Sequence, residues 1–239
     1  MIVTNLPAIG RKINKRADRF RFLPLEVFVI HAVTDAYDPE AYLREDWMQT
    51  EIFEQTIKRL KRDYTFIPLT DAYRHLKHDW LRRRRYAVLT CDDGFASVQG
   101  ILPFLESEKV PITLFINPRY LDGKSRREGY APSVEYLTET QLAGLTSHLV
   151  SIGMHGYEHV DATKQSEEDF GRSVTLCTEM LGKHPRYIPY FAYTWGRNNA
   201  TTERVLKRMG IVPVLCNGAS NYRYRGAISR RLLPEEENK

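Results

Sequence analysis

From about residue 25 onward, apolar runs of strand length alternate with segments whose apolar residues recur at helical spacing. This is the signature of repeated βα units around a parallel sheet, and it constrains the fold more than any other feature of the chain. Strands are expected at residues 25–33, 65–69, 86–91, 112–117, 149–154, 187–192 and 211–215. Between them Phe53, Ile57, Leu60 and Tyr64, then Val98, Ile101, Leu102 and Leu105, then Phe170, Val174, Cys177 and Leu181 each form one apolar helical stripe. Ser166 ahead of an acidic turn reads as an N-cap, and Gly182 and Gly210 as left-handed helix ends. Seven parallel strands in an α/β pattern suggest a barrel.

A chain of 239 residues with 42% hydrophobic and 27% charged residues can bury one large core, so residues 1–239 are read as a single domain. Its longest apolar runs are too short to cross a bilayer, and the N-terminus lacks the apolar stretch of a signal peptide, so a cytoplasmic location is expected. Cys91, Cys177 and Cys216 are too few and too scattered for a disulfide framework and are read as reduced. The net charge of +5 comes partly from basic clusters at residues 11–21, 58–62 and 82–85. These read as solvated helix ends and loops that leave room for peripheral membrane contact. No zinc finger, recognition helix or aromatic-studded basic motif supports nucleic-acid binding. Residues 118–138 read as a long loop and 234–239 as a frayed acidic tail.

The chemistry-bearing residues fall at strand ends. The run Tyr-Ala-Val-Leu leads into Thr90, Cys91, Asp92, Asp93 and Gly94. Two adjacent carboxylates directly after an apolar strand are costly unless a positive charge balances them. After a second apolar stretch comes His155-Gly-Tyr-Glu-His159. Two imidazoles four residues apart can converge on one cation, and a carboxylate added to them makes three ligands with a position left for water. In a parallel barrel both motifs would share the open mouth at the C-terminal strand ends. Cys91 is not read as a nucleophile, because neighbouring carboxylates would raise its pKa.

These residues resemble a known family. TCDDGF is similar to the TFDDG motif, and HGYEH to the H-(S/T)-x-x-H motif, of the polysaccharide deacetylases with a NodB homology domain. EIFEQTIKRLKRDYTFIPLTDAY, PITLFIN and HVDATKQSEEDF look like the surroundings of those motifs, so the resemblance spans roughly residues 25–217. It implies a distorted (β/α) barrel, an acetylated carbohydrate substrate and a divalent metal. Carried over by position, it makes Asp92 the general base and Asp93, His155 and His159 the metal ligands. Zinc is the default for such donors, while Co²⁺, Ni²⁺, Mn²⁺ or Fe²⁺ suit them too. The expected reaction removes N-linked acetyl from an amino sugar, with O-acetyl esterase action or carbohydrate binding without catalysis as alternatives.

The sequence also departs from the family pattern. Relatives often carry a late Leu-x-His that supplies the general acid, but no histidine follows His184 here. The acid is therefore unassigned. His31, ending the first strand, matches a histidine found there in relatives and is a catalytic candidate. YFAYTWG at residues 190–196 resembles the FAYPFG form of the family's third motif and nominates Tyr193 and Trp195 for substrate binding. Ala192 stands nearest the arginine that often contacts the base, so another cation is expected to hold Asp92. Arg230 resembles an arginine common near the end of such relatives.

Overall fold

The structure, a computed structural model, describes residues 23–36, 47–78, 84–126 and 134–234. Along the chain come β1 (Leu25–Ile30), β2 (Ala32–Val33), β3 (Trp47–Met48), α1 (Thr50–Asp63), β4 (Thr65–Phe66), α2 (Leu69–His78), β5 (Tyr86–Cys91) and α3 (Val98–Ser107). They are followed by β6 (Ile112–Ile116), α4 (Glu139–Ala143), β7 (Val150–Met154), α5 (Glu167–Leu181), β8 (Tyr187–Ala192), α6 (Ala200–Arg208), β9 (Val212–Cys216) and β10 (Ile228–Leu232). The basic cluster at residues 11–21, residues 127–133 of the expected loop and nearly all of the acidic tail lie outside the described residues.

β1, β5, β6, β7, β8, β9 and β10 pair in parallel and close on themselves through β10–β1 and β1–β5, giving a seven-stranded barrel. All six residues of β1 are buried, as expected for a parallel strand covered on both faces. Strand alternation divides the core in two. Inward residues such as Val27, Val88, Phe115, Tyr190, Ala192, Val214 and Ile228 fill the barrel, whose N-terminal opening is plugged by Leu69, Ala72 and Leu76 of α2. Outward residues such as Phe28, Leu89, Leu114, Ile152 and Phe191 pack beneath the buried stripes of α1, α3, α5 and α6. Barrel and helices thus form concentric layers.

The expected number of strands is right, but one member differs. Residues 65–69 supply only the two-residue β4, which pairs beside Tyr86 and Ala87 on an edge of β5 that β6 takes over from Leu89. The seventh place belongs to β10, beyond residue 217, whose Ile-Ser-Arg-Arg-Leu carries two arginines and so has no continuous apolar run. The first expected strand, 25–33, breaks at His31, after which β2 pairs with β3 in a separate small sheet. Within the expected loop, Pro118–Asp122 forms a short 3-10 turn, and Thr138 caps α4. Ser166 caps α5 as expected, accepting from Asp169 N, and Gly210 is left-handed at φ 70°. Gly182 is not: its φ is −62°, and glycine is required because a Cβ would lie 2.3 Å from Thr178 O.

Candidate functional site

The strand β5 points Val88 and Thr90 inward, and the alternation carries on to Asp92, whose N–H still donates to Ile30 O at 3.0 Å. The chain then reverses through two consecutive left-handed residues, Asp93 at φ 70° and Gly94 at φ 75°. Aspartate tolerates this conformation better than most residues, at a cost of about 1–2 kcal/mol. The turn brings the Asp93 carboxylate back over the mouth. From β7, two strands along the ring, alternation carries His155 inward, and Asn117 at the end of the intervening β6 fixes the next turn by donating to His155 O at 2.6 Å and Gly156 O at 2.9 Å.

His155 Nε2 lies 3.3 Å and His159 Nε2 3.2 Å from the same oxygen, Asp93 Oδ1. All three residues are at least nine-tenths buried. They form the group of side chains, among the described residues, whose ligand atoms lie within 4.8 Å of one another and could hold a metal ion. The donor chemistry fits a cation. His155 Nδ1 is 2.9 Å from Ala192 O, and because a carbonyl only accepts, Nδ1 must carry the proton. In the neutral ring Nε2 then aims a lone pair at a carboxylate oxygen, an unfavourable meeting unless positive charge lies between them. Burial opposes ionisation of Asp93 most strongly, and positive charge on the paired imidazoles is what holds its pKa well below the usual carboxylate value.

Asp92 faces a different partner. Arg230 on β10, fully buried, donates to Asp92 Oδ1 at 2.6 Å and Oδ2 at 2.8 Å in a bidentate pair. Its NH1 also reaches Thr90 Oγ1 at 3.1 Å, and Thr90 donates to Phe28 O at 2.9 Å. Here the cation expected to hold Asp92 is Arg230, which sits inward one alternation step beyond Ile228. Burial would raise the Asp92 pKa, but Arg230 leads the charges that lower it. The guanidinium rests 5.2 Å from the Phe115 ring, and Phe115 has room because β7 carries Gly153, where a Cβ would come within 2.6 Å of that ring. One small residue thus shapes the floor beneath the Asp92–Arg230 pair.

His31, between β1 and β2, is partly buried, and its charge acts on Asp92. The other histidines lie elsewhere: His75 stacks on Tyr86 at the start of β5, His78 ends α2, His148 precedes β7, and His184 binds Leu142 O before β8. Of the seven histidines, only His31, His155 and His159 reach the mouth.

Trp195 is at the mouth, half-exposed, its indole edge-on to His159 with ring centroids 4.6 Å apart. Tyr193 is not brought to the site. It is 1% exposed and packs against Phe170 and Phe191 beneath α5, and burial raises its phenol to about 12. The reason is strand alternation: two residues beyond outward-facing Phe191, it shares that face. Asn117 and Gly153 were missed as site residues, although Asn117 ends an expected strand, where mouth residues gather. Cys91 is buried, and burial followed by the two carboxylates raises its pKa well above the usual value, which disfavours the thiolate.

A closed parallel barrel with a buried aspartate and two histidines at the mouth defines an α/β-barrel protein with a candidate metal site. A family model described as polysaccharide deacetylase matches residues 82–214, more than half of the chain, and the protein belongs to that family. Solved structures are similar in fold. IcaB from Ammonifex degensii has 22% identity, 88% of this chain and 92% of that one covered, and a TM-score of 0.71. The Streptococcus pyogenes deacetylase PplD in complex with acetate has 21% identity, coverage of 90% and 94%, and a TM-score of 0.72. A de-N-acetylase from Aggregatibacter actinomycetemcomitans has 19% identity, coverage of 90% and 97%, and a TM-score of 0.68. No curated protein sequence matches the chain. No helix among the described residues is long and apolar enough to cross a membrane.

Proposed function

We propose that the protein hydrolyses the N-acetyl group of an amino sugar within an oligo- or polysaccharide, with Asp93, His155 and His159 holding a divalent cation, zinc by default. The observation that carries this reading is the convergence of two imidazole Nε2 atoms on one Asp93 oxygen while His155 Nδ1 is committed to Ala192 O. A cation bound there supplies Lewis acidity toward the acyl oxygen and acidifies a water. Asp92, kept ionised by Arg230, accepts the proton of the attacking water. Arg230 orients the carboxylate and does not itself exchange protons. As the tetrahedral adduct collapses, the C–N bond breaks and the amine needs a proton. His31 is the candidate donor, because it is the one imidazole at the mouth outside the metal cluster. Trp195 offers its exposed indole to a sugar ring, and Tyr193 has no part in this reading.

The test is acetate release from a chitooligosaccharide and from an O-acetylated xylooligosaccharide by zinc-loaded protein. Release from the first, abolished by Asp92→Asn and by His31→Ala with zinc content retained, is the expected result. Release from the second alone would make the protein an esterase. Release from neither would leave carbohydrate binding without catalysis.

A further inference from the structure

Trp195 adopts φ 51° and ψ 17°, the left-handed region, in which a bulky residue is an outlier. Such a conformation persists only where the surroundings over-determine it. Core packing does not supply that constraint, because the indole is 51% exposed. The residues on either side are pinned: the Thr194 hydroxyl donates to Val160 O at 2.5 Å, and Gly196 N donates to Tyr193 O at 2.9 Å. His159 and Arg197 are among the neighbours that hold the indole itself. His159 lies edge-on. The guanidinium carbon of Arg197 is 5.7 Å from the ring centroid.

Arg197 is in turn fixed from the opposite loop. Its NH1 donates to Asp161 Oδ2 at 2.8 Å, and Asp161, 8% exposed, has its other oxygen engaged by Thr163 N at 3.0 Å and Thr163 Oγ1 at 2.6 Å. The anchor is therefore set independently of the arginine it holds. Asp161 lies two residues after His159, so one guanidinium ties the loop carrying a candidate metal ligand to the loop carrying the exposed aromatic.

We infer that Arg197, anchored on Asp161, is a positioning residue that holds the Trp195 indole as a fixed wall of the mouth, against which the sugar ring next to the scissile acetamide packs. This rests on the reading of the mouth as a carbohydrate site. A planar guanidinium can stack on the indole and bond the carboxylate at once, whereas an ammonium can do only the second. Arg197 touches no reacting atom, so its effect is on substrate affinity.

The test uses full-length protein carrying 5-fluorotryptophan, whose three resonances come from Trp47, Trp80 and Trp195, the last assigned with Trp195→Phe. Arg197→Gln is expected to shift and narrow the Trp195 fluorine line while the other two stay in place, which also reports that the variant is folded. In zinc-loaded protein acting on a chitooligosaccharide, the same variant raises KM about tenfold with kcat within about twofold, from the typical worth of an aromatic contact. Arg197→Lys restores part of that affinity, and Arg197→Gln combined with Trp195→Ala is no worse than Trp195→Ala alone. An unmoved Trp195 line, or KM effects that multiply in the double variant, overturns the inference. If the wild type releases no acetate, the functional reading fails while the fluorine spectrum still decides the clamp.

Discussion

The two ends of the barrel are built from the same strands but differ in how they treat polar groups. At the N-terminal end, α2 plugs the opening with Leu69, Ala72 and Leu76, and polar side chains are spread among the loops around it. His184 is an example, with Nε2 on Leu142 O at 3.0 Å and Nδ1 accepting from Arg186 N at 3.1 Å. At the C-terminal end Asp92, Asp93, Asn117, His155, His159 and Arg230 are all at least nine-tenths buried, and Asp93 and Trp195 sit in left-handed backbone. Among the described residues most of the buried charge, and two of the three non-glycine residues in left-handed backbone, lie where chemistry is expected; at the other end Lys109 precedes β6 at φ 54°, and buried Glu26 near the start of β1 is paired with Arg231 at 3.2 Å. The C-terminal end carries a cluster of buried charges that must remain matched, whereas the N-terminal end is filled mainly by apolar side chains.

The sharpest way to break that contrast is to unmatch one charge. Arg230→Met leaves Asp92 buried without its counter-charge and is expected to destabilise the protein by about 3–5 kcal/mol in urea unfolding at neutral pH. Adding Asp92→Asn should recover much of the loss without restoring activity. Because the Asp92 pKa is lowered in the folded protein, the pair's contribution is complete above the unfolded value near 4 and fades as pH falls through the lower folded value. The difference between wild type and Arg230→Met should shrink over that acid range. Next in size, Gly153→Ala forces a Cβ against Phe115 and should cost about 1–3 kcal/mol in thermal unfolding, with reduced activity as Arg230 shifts. Asn117→Ala removes two bonds to the His155 turn. It should lower zinc affinity roughly 10- to 100-fold by competition with a chromophoric chelator, the range for lost supporting contacts. Smallest is His184→Gln at the other end, expected to cost under about 1 kcal/mol and to leave acetate release unchanged; a large loss of activity there would erase the contrast between the ends.

Periodicity alone indicated the βα alternation, the helical stripes and six of the seven ring strands, because burial on both faces of a parallel strand leaves a continuous apolar run. It failed at β10, where the interior residue is Arg230, and at β4, where an apolar stretch continues into α2. The cluster of Asp93, His155 and His159 was readable because both motifs follow such runs directly. The partner of Asp92 was harder to see: Arg230 is 138 residues away in sequence, and only barrel closure places it beside that carboxylate. Tyr193 was misread for a simpler reason. Its motif gives its sequence position but not its face, and counting by twos from Phe191 puts it in the core.

The central claim is that Asp93, His155 and His159 hold the cation on which hydrolysis depends. Its most direct test is acetate release from a chitooligosaccharide by protein stripped with a chelator, before and after one equivalent of zinc, beside Asp93→Asn treated in the same way. The account predicts that stripped protein is inactive, that zinc restores release, and that Asp93→Asn neither binds zinc tightly nor recovers. Undiminished release from stripped protein, or full recovery of Asp93→Asn at one equivalent, would contradict it.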